Sequence, residues 1–178
     1  VTSRARERGD MLLHLHDLGR RLGYQVWVAP AEQAAALGLV PLGQRAPVDG
    51  NQWAPAGLVW HDAGAAAYAF ALSIQAVLQP WLAPPPDALG GCPRCVVLPG
   101  GRAGLLAFKL RRTPAWRNRL AETGWEFVKF RHVRQLAALA DLTRASFRAR
   151  IGLDPAVTLP GAQLTLFDVA TQGETDAD

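Results

Sequence analysis

Apolar residues near the start of the chain recur with helical spacing. Met11, Leu15, Leu18 and Leu22 stand four, three and four apart, which draws one stripe along a helix over residues 4–22. Gly23 follows where a left-handed cap is wanted. The period then switches. Residues 24–29 are rich in β-formers and stopped by Pro30, which predicts a strand. A short helix is expected over 31–37, and the Gly- and Pro-rich stretch 38–56 reads as loop, with room for a hairpin.

Residues 58–61 and 66–72 are apolar runs separated by Asp62, Ala63 and Gly64, the pattern of a β-hairpin. Residues 74–82 predict a short helix, broken by Pro84, Pro85 and Pro86. Cys95, Val96, Val97 and Leu98 form a continuous apolar run fit for an interior strand. A helix is expected over 102–111. Thr113 and Pro114 then supply an N-cap and an N1 proline for a second helix running to Gly124. Residues 125–130 alternate with period two, and a last helix covers 132–150. The order helix, strand, strand, strand, helix, strand, helix predicts an α/β sandwich around a mixed central sheet flanked by helices.

Charge adds a division of the chain. Residues 1–150 carry all 19 bases against 10 acids, a net of +9, whereas the last 28 residues carry five acids and no base. The expected organisation is a basic body over 1–153 and a flexible acidic tail over 154–178. Such a body suits a polyanion, although 17 of the 19 bases are Arg, so a compositional bias gives the same count. From Arg94 to Arg119 seven bases occur, and no acid lies between Asp87 and Glu122. Arg102, Lys109, Arg111, Arg112, Arg117 and Arg119 are the candidate DNA contacts, with Trp116 interleaved. A solvated Arg-rich helix face is the alternative. Arg131, Arg134, Arg144, Arg148 and Arg150 form a weaker second set.

No apolar run is long enough to span a membrane, and the basic start lacks a signal-peptide core; the expected location is cytoplasmic. Cys92 and Cys95 form one Cys-x-x-Cys without a second pair, and none of the four His makes a ligand pair. A four-ligand zinc site is therefore not expected, and reduced, partly buried thiols are the reading, with a redox pair as the alternative. Gly100, Gly101 and Gly104 precede or open a helix without a P-loop Lys-Ser/Thr, which fits a plain strand-to-helix turn better than a nucleotide cradle.

The element order, with Leu18, Gly19, Gly23, Tyr24, Val26, Trp27, Val28 and Ala29 at the front, resembles the restriction-endonuclease-like PD-(D/E)XK superfamily over roughly residues 8–140. Active members hold Mg²⁺ with an Asp opening the second core strand and a Glu-x-Glu/Lys on the third. Two carboxylates suit a hard cation, and alternate strand positions aim both groups into one cleft. Laid onto this chain those positions are Gly57, Ala71 and Ser73, so all three are vacant. The resemblance thus implies a nuclease fold without catalytic residues, no metal and no cofactor. The fallback is a divergent Mg²⁺-dependent endonuclease using Asp49 or Asp62, helped by His61 or Gln75. A domain that binds only protein is a further alternative.

The tail carries Gln163, Leu164, Thr165, Leu166 and Phe167, followed by Asp168. This resembles the bacterial sliding-clamp-binding pentapeptide, with Thr where Ser is usual. An extended segment of that kind lays Leu and Phe into an apolar groove while the Gln amide fixes register. The implied partners are DNA and the clamp, and the implied setting is replication or repair. An edge strand packing on its own domain is the alternative.

Overall fold

A computed structural model describes residues 3–29, 32 and 53–151. The expected helix at 31–37, most of the 38–56 stretch, Asp49, and the whole tail with its pentapeptide lie outside the described residues.

Within them the chain is α/β. Helix α1 (Ser3–Arg21) leads into β1 (Gln25–Val28), and β2 (Leu58–Asp62) and β3 (Ala65–Leu72) follow. A four-residue helix α2 (Gln79–Leu82) and a 3-10 turn at Asp87–Leu89 connect β3 to β4 (Arg94–Leu98). Helices α3 (Gly100–Arg112) and α4 (Pro114–Thr123) cross to β5 (Trp125–Lys129), and α5 (Phe130–Ala138) and α6 (Arg144–Arg150) end the described chain.

The strands form one five-stranded sheet in sequence order. β1, β2 and β3 make an antiparallel meander, and β4 and β5 add in parallel. The connections dictate this: a two-residue turn reverses direction, while parallel neighbours need the longer helical crossovers. Ala63 and Gly64 both take positive φ in that turn, the backbone a tight hairpin demands.

Each face of the sheet is covered. Leu12, Leu15 and Leu18 of α1, Val133 and Leu136 of α5 and Phe147 of α6 pack on Trp60, Phe70, Cys95, Val97 and Val128. On the other face Ala103, Leu106 and Leu110 of α3, Leu120 of α4 and Trp81 of α2 pack on Val59, Ala69, Ala71, Val96 and Phe127. The central strands β3 and β4 read as near-continuous apolar runs because both of their faces are dry, whereas β5 sets Glu126 and Lys129 among its apolar residues.

The front segment has a physical explanation residue by residue. A Cβ at Gly19 would lie 2.5 Å from Nε1 of Trp60 and 2.6 Å from Val26, so a bare backbone lets α1 sit directly on the sheet. Trp60 Nε1–H donates to the Leu15 carbonyl at 3.1 Å. Gly23, at φ 80°, ends the helix. Tyr24 stacks on Trp60 with centroids 5.4 Å apart, and the Arg144 guanidinium covers its other side at 4.1 Å.

Two expectations need correcting. The helix predicted over 74–82 shrinks to Gln79–Leu82, with Pro80 opening it and Pro84 stopping it soon after. The single last helix over 132–150 is two helices. Thr143 and Ser146 build a reciprocal capping box that starts α6 afresh, and the break lets Leu142 turn into the first core.

Candidate functional site

The three vacant positions lie at the start of β2 and the end of β3. Gly57 N–H donates to the Phe70 carbonyl at 2.9 Å, and the Ala29 N–H donates to the Gly57 carbonyl at 2.8 Å, so Gly57 continues the β1–β2 ladder by one step. Leu58 also pairs with Phe70, so Gly57 and Leu58 both face Phe70 and the register slips there by one residue. Ala71 is buried in the second core, and Ser73 stands two residues on, toward the same face. Ser73 Oγ–H donates to the Gln75 carbonyl at 3.0 Å and accepts from the Gln75 N–H at 3.3 Å. Its hydroxyl thus shapes the turn that leaves β3, and the Gln75 backbone, rather than its amide, is what the turn uses.

One carboxylate does reach this place, and no sequence pattern singled it out. A Cβ at Gly57 would lie 2.6 Å from Cγ and 2.9 Å from Oε1 of Glu32. Glu32 therefore fills the space that a side chain at 57 would take. Its Oε1 accepts from the Arg8 guanidinium of α1, and its side chain is 13% exposed. Oε2 is buried with no partner among the described residues. The signal available in the sequence was slight: Glu32 is the one acid between Asp17 and Asp49.

Among the described residues the donors here are few for Mg²⁺: hydrogen, methyl and hydroxymethyl groups stand at 57, 71 and 73, and Glu32 is paired with Arg8, whereas a hard cation wants several oxygen ligands. Among the described residues no group of three or more His, Cys, Asp or Glu is placed to hold a metal.

The fallback residues that can be described lie elsewhere. Asp62 is the last residue of β2 rather than part of the turn. It sits at the opposite end of that strand from Gly57, about 16 Å away at the usual strand rise, and its Oδ2 accepts from Arg144 at 2.7 Å. His61 is 4% exposed and stacks on Trp27 with centroids 3.7 Å apart. Burial holds its pKa below the usual imidazole value, so it is a neutral core ring.

The six candidate DNA contacts divide in two. Lys109 Nζ donates to the Ala76 carbonyl at 2.9 Å. Arg119 donates to the Leu82 carbonyl at 3.1 Å and pairs with Glu122 at 3.0 Å. These two brace the 76–82 segment against α3 and α4. Arg94, also in the basic run, is spent internally on the carbonyls of Thr123 and Gly90. Arg102, Arg111 and Arg117 make no ion pair or hydrogen bond among the described residues. Arg112 lies over the Phe108 ring at 4.8 Å. In the second set, Arg134 pairs with Glu7 and Arg144 with Asp62.

Cys92 and Cys95 are both free and buried, more completely than the spacing suggested. They belong to cores on opposite faces of the sheet, and burial raises the pKa of each thiol. Pro99 joins β4 directly to α3, and its carbonyl accepts from the Arg102 and Ala103 N–H groups. The Gly100–Gly101 stretch is thus a strand-to-helix turn. No described helix is long and apolar enough to cross a membrane.

No family model matches the chain, and neither a curated protein nor a solved structure matches it at a significant level. Function must therefore be argued from geometry and from the sequence resemblance.

Proposed function

We propose that this chain is a catalytically inactive, nuclease-fold DNA-binding accessory protein, recruited to replication or repair through a sliding clamp. The observation that carries the reading is Gly57 standing against Glu32, a carboxylate already paired with Arg8, while Ala71 and Ser73 bring no further acid among the described residues. The order helix, antiparallel meander, crossover, parallel strand supports the restriction-endonuclease-like resemblance. The unpaired Arg102, Arg111 and Arg117 on α3 and α4 support the contact with phosphate.

The deciding experiment is a Mg²⁺ and Mn²⁺ titration on nicked, branched and single-stranded DNA. No cleavage, together with salt-sensitive retention of DNA, is the expected result. Cleavage abolished by Glu32→Gln or Asp49→Ala overturns it in favour of a divergent endonuclease with relocated acids. The free Oε2 of Glu32 is the observation that favours this second reading. Absence of DNA binding at low salt leaves a protein-interaction domain instead. For the tail, Leu166→Ala with Phe167→Ala should abolish capture by purified clamp; unchanged capture removes the clamp from the proposal.

A further inference from the structure

Four large hydrophobic side chains are exposed among the described residues: Val77 at 37%, Leu105 at 47%, Phe108 at 50% and Trp116 at 38%. All four fall on or beside α3 and α4. Leu105 and Phe108 are three residues apart on α3, and Arg112 follows four later, so the three share the face opposite the buried Ala103, Leu106 and Leu110. Arg102 precedes Leu105 by three on the same face. Val77 adjoins Ala76, whose carbonyl is held by Lys109 of α3. Trp116 opens α4 just beyond Arg112.

This surface mixes two properties that are usually kept apart. Among the described residues Arg102, Arg111, Arg112 and Arg117 make no ion pair, and no acid occurs in sequence between Asp87 and Glu122. Its apolar groups are two flat rings, Phe108 and Trp116, with Leu105 and Val77, and a guanidinium already lies over one ring. A double helix offers phosphates outward and keeps its base faces stacked within, so it would use the cations and waste the rings. An unpaired strand offers both. Bases stack on aromatic side chains and on guanidinium planes while basic groups follow the backbone.

We infer that the outward face of α3, with the start of α4, binds unpaired nucleic-acid strands. Phe108 and Trp116 are the stacking platforms, and Arg102, Arg111, Arg112 and Arg117 hold phosphates. The inference rests on the DNA-binding reading above and narrows it to a substrate class. Lys109 and Arg119 are excluded from the contact set because the fold already uses both.

The test is fluorescence anisotropy of the full chain with a labelled oligo-dT and with a duplex of equal length, over a series of salt concentrations. The oligo-dT should bind at least tenfold more tightly, with a log–log salt slope of about −3 for four phosphate contacts on a single strand. Phe108→Ala should weaken oligo-dT binding by ~5–150-fold and leave the duplex unchanged; Phe108→Tyr should restore it. Both variants change an exposed side chain, and their melting curves should match the parent's. Quenching of Trp116 fluorescence by oligo-dT, read as the difference from Trp116→Phe, gives an independent measure of stacking. Equal or tighter duplex binding, or oligo-dT affinity unmoved by Phe108→Ala, overturns the inference and leaves the DNA-binding reading standing. Failure to bind either DNA at low salt overturns that reading itself. Sedimentation with phosphatidylserine vesicles, lost in Phe108→Ala and without DNA binding, would make the face a membrane surface and overturn both.

Discussion

Glu126 offers a perturbation whose size can be worked out from its surroundings. It lies on β5 paired with Cys95 of β4, is only partly exposed, and its Oε2 is buried without a partner among the described residues. Desolvation raises its pKa from 4.5 to about 6. A carboxyl that holds its proton more tightly when folded favours the folded state at low pH, and stability falls as pH rises from the unfolded value to the folded one. At about 1.36 kcal/mol per pH unit the gap is worth about 2 kcal/mol, and partial solvent screening brings this to about 1–2 kcal/mol. The loss should occur between pH 4.5 and 6 and then level off. Urea unfolding of the parent and of Glu126→Gln at pH 4 and 7.5 isolates it, because the other carboxylates cancel in the difference. The variant should gain about 1–2 kcal/mol relative to the parent over that interval, or roughly 2–8 °C in melting temperature. Parallel pH curves for the two proteins would refute the desolvation argument, as would a variant that loses ground at pH 7.5.

Gly19→Ala should cost about 1–3 kcal/mol by thermal melting, despite the better helix propensity of Ala, because the new methyl meets Trp60 and Val26; a neutral result would mean α1 can shift freely. Arg144 bonds the Leu22 and Gly23 carbonyls, pairs with Asp62 and covers Tyr24. Arg144→Ala should therefore destabilise by about 1–3 kcal/mol and speed amide exchange in α6, whereas Asp62→Asn alone should cost under about 1 kcal/mol, as an exposed pair does. Gly57→Asp should be destabilising by more than about 2 kcal/mol, since it drives a second carboxylate against Glu32. Adding Glu32→Ala should recover most of the loss in denaturant titrations; no recovery would show that the strain lies in the backbone at 57.

Most of the fold was legible because each element repeats a local signal. The α1 stripe, the hairpin at Ala63–Gly64 and the interior run at Cys95–Leu98 are set by residues close in sequence. The break between α5 and α6 was hidden, as no Gly or Pro marks it. It depends on a hydroxyl cap at Thr143 and on the place Leu142 finds in a core built from distant segments. The site was legible in part. The resemblance picked out Gly57, Ala71 and Ser73 at the start of β2 and the end of β3, but Glu32 arrives from outside the strands, and no periodicity announces it. Likewise the sequence counted seven bases near α3, and only the folded chain separates those that brace the fold from those left facing solvent.

One short segment links the end of β3 to α3. β3 ends at Leu72, Ser73 turns the chain, and Lys109 holds Ala76 against α3. Val77 then stands exposed beside the α3 face. If the proposed DNA-binding reading holds, the chemistry at the end of β3 bears on how a phosphate backbone would be received there. Gly57 and Ala71 are apolar, Ser73 is bonded within its own turn, and Arg8 cancels Glu32. On the proposed reading, an end of β3 with few acids would repel a polyanion less than a pair of carboxylates without their metal, so removing the carboxylate there by Glu32→Gln should strengthen DNA retention at low salt.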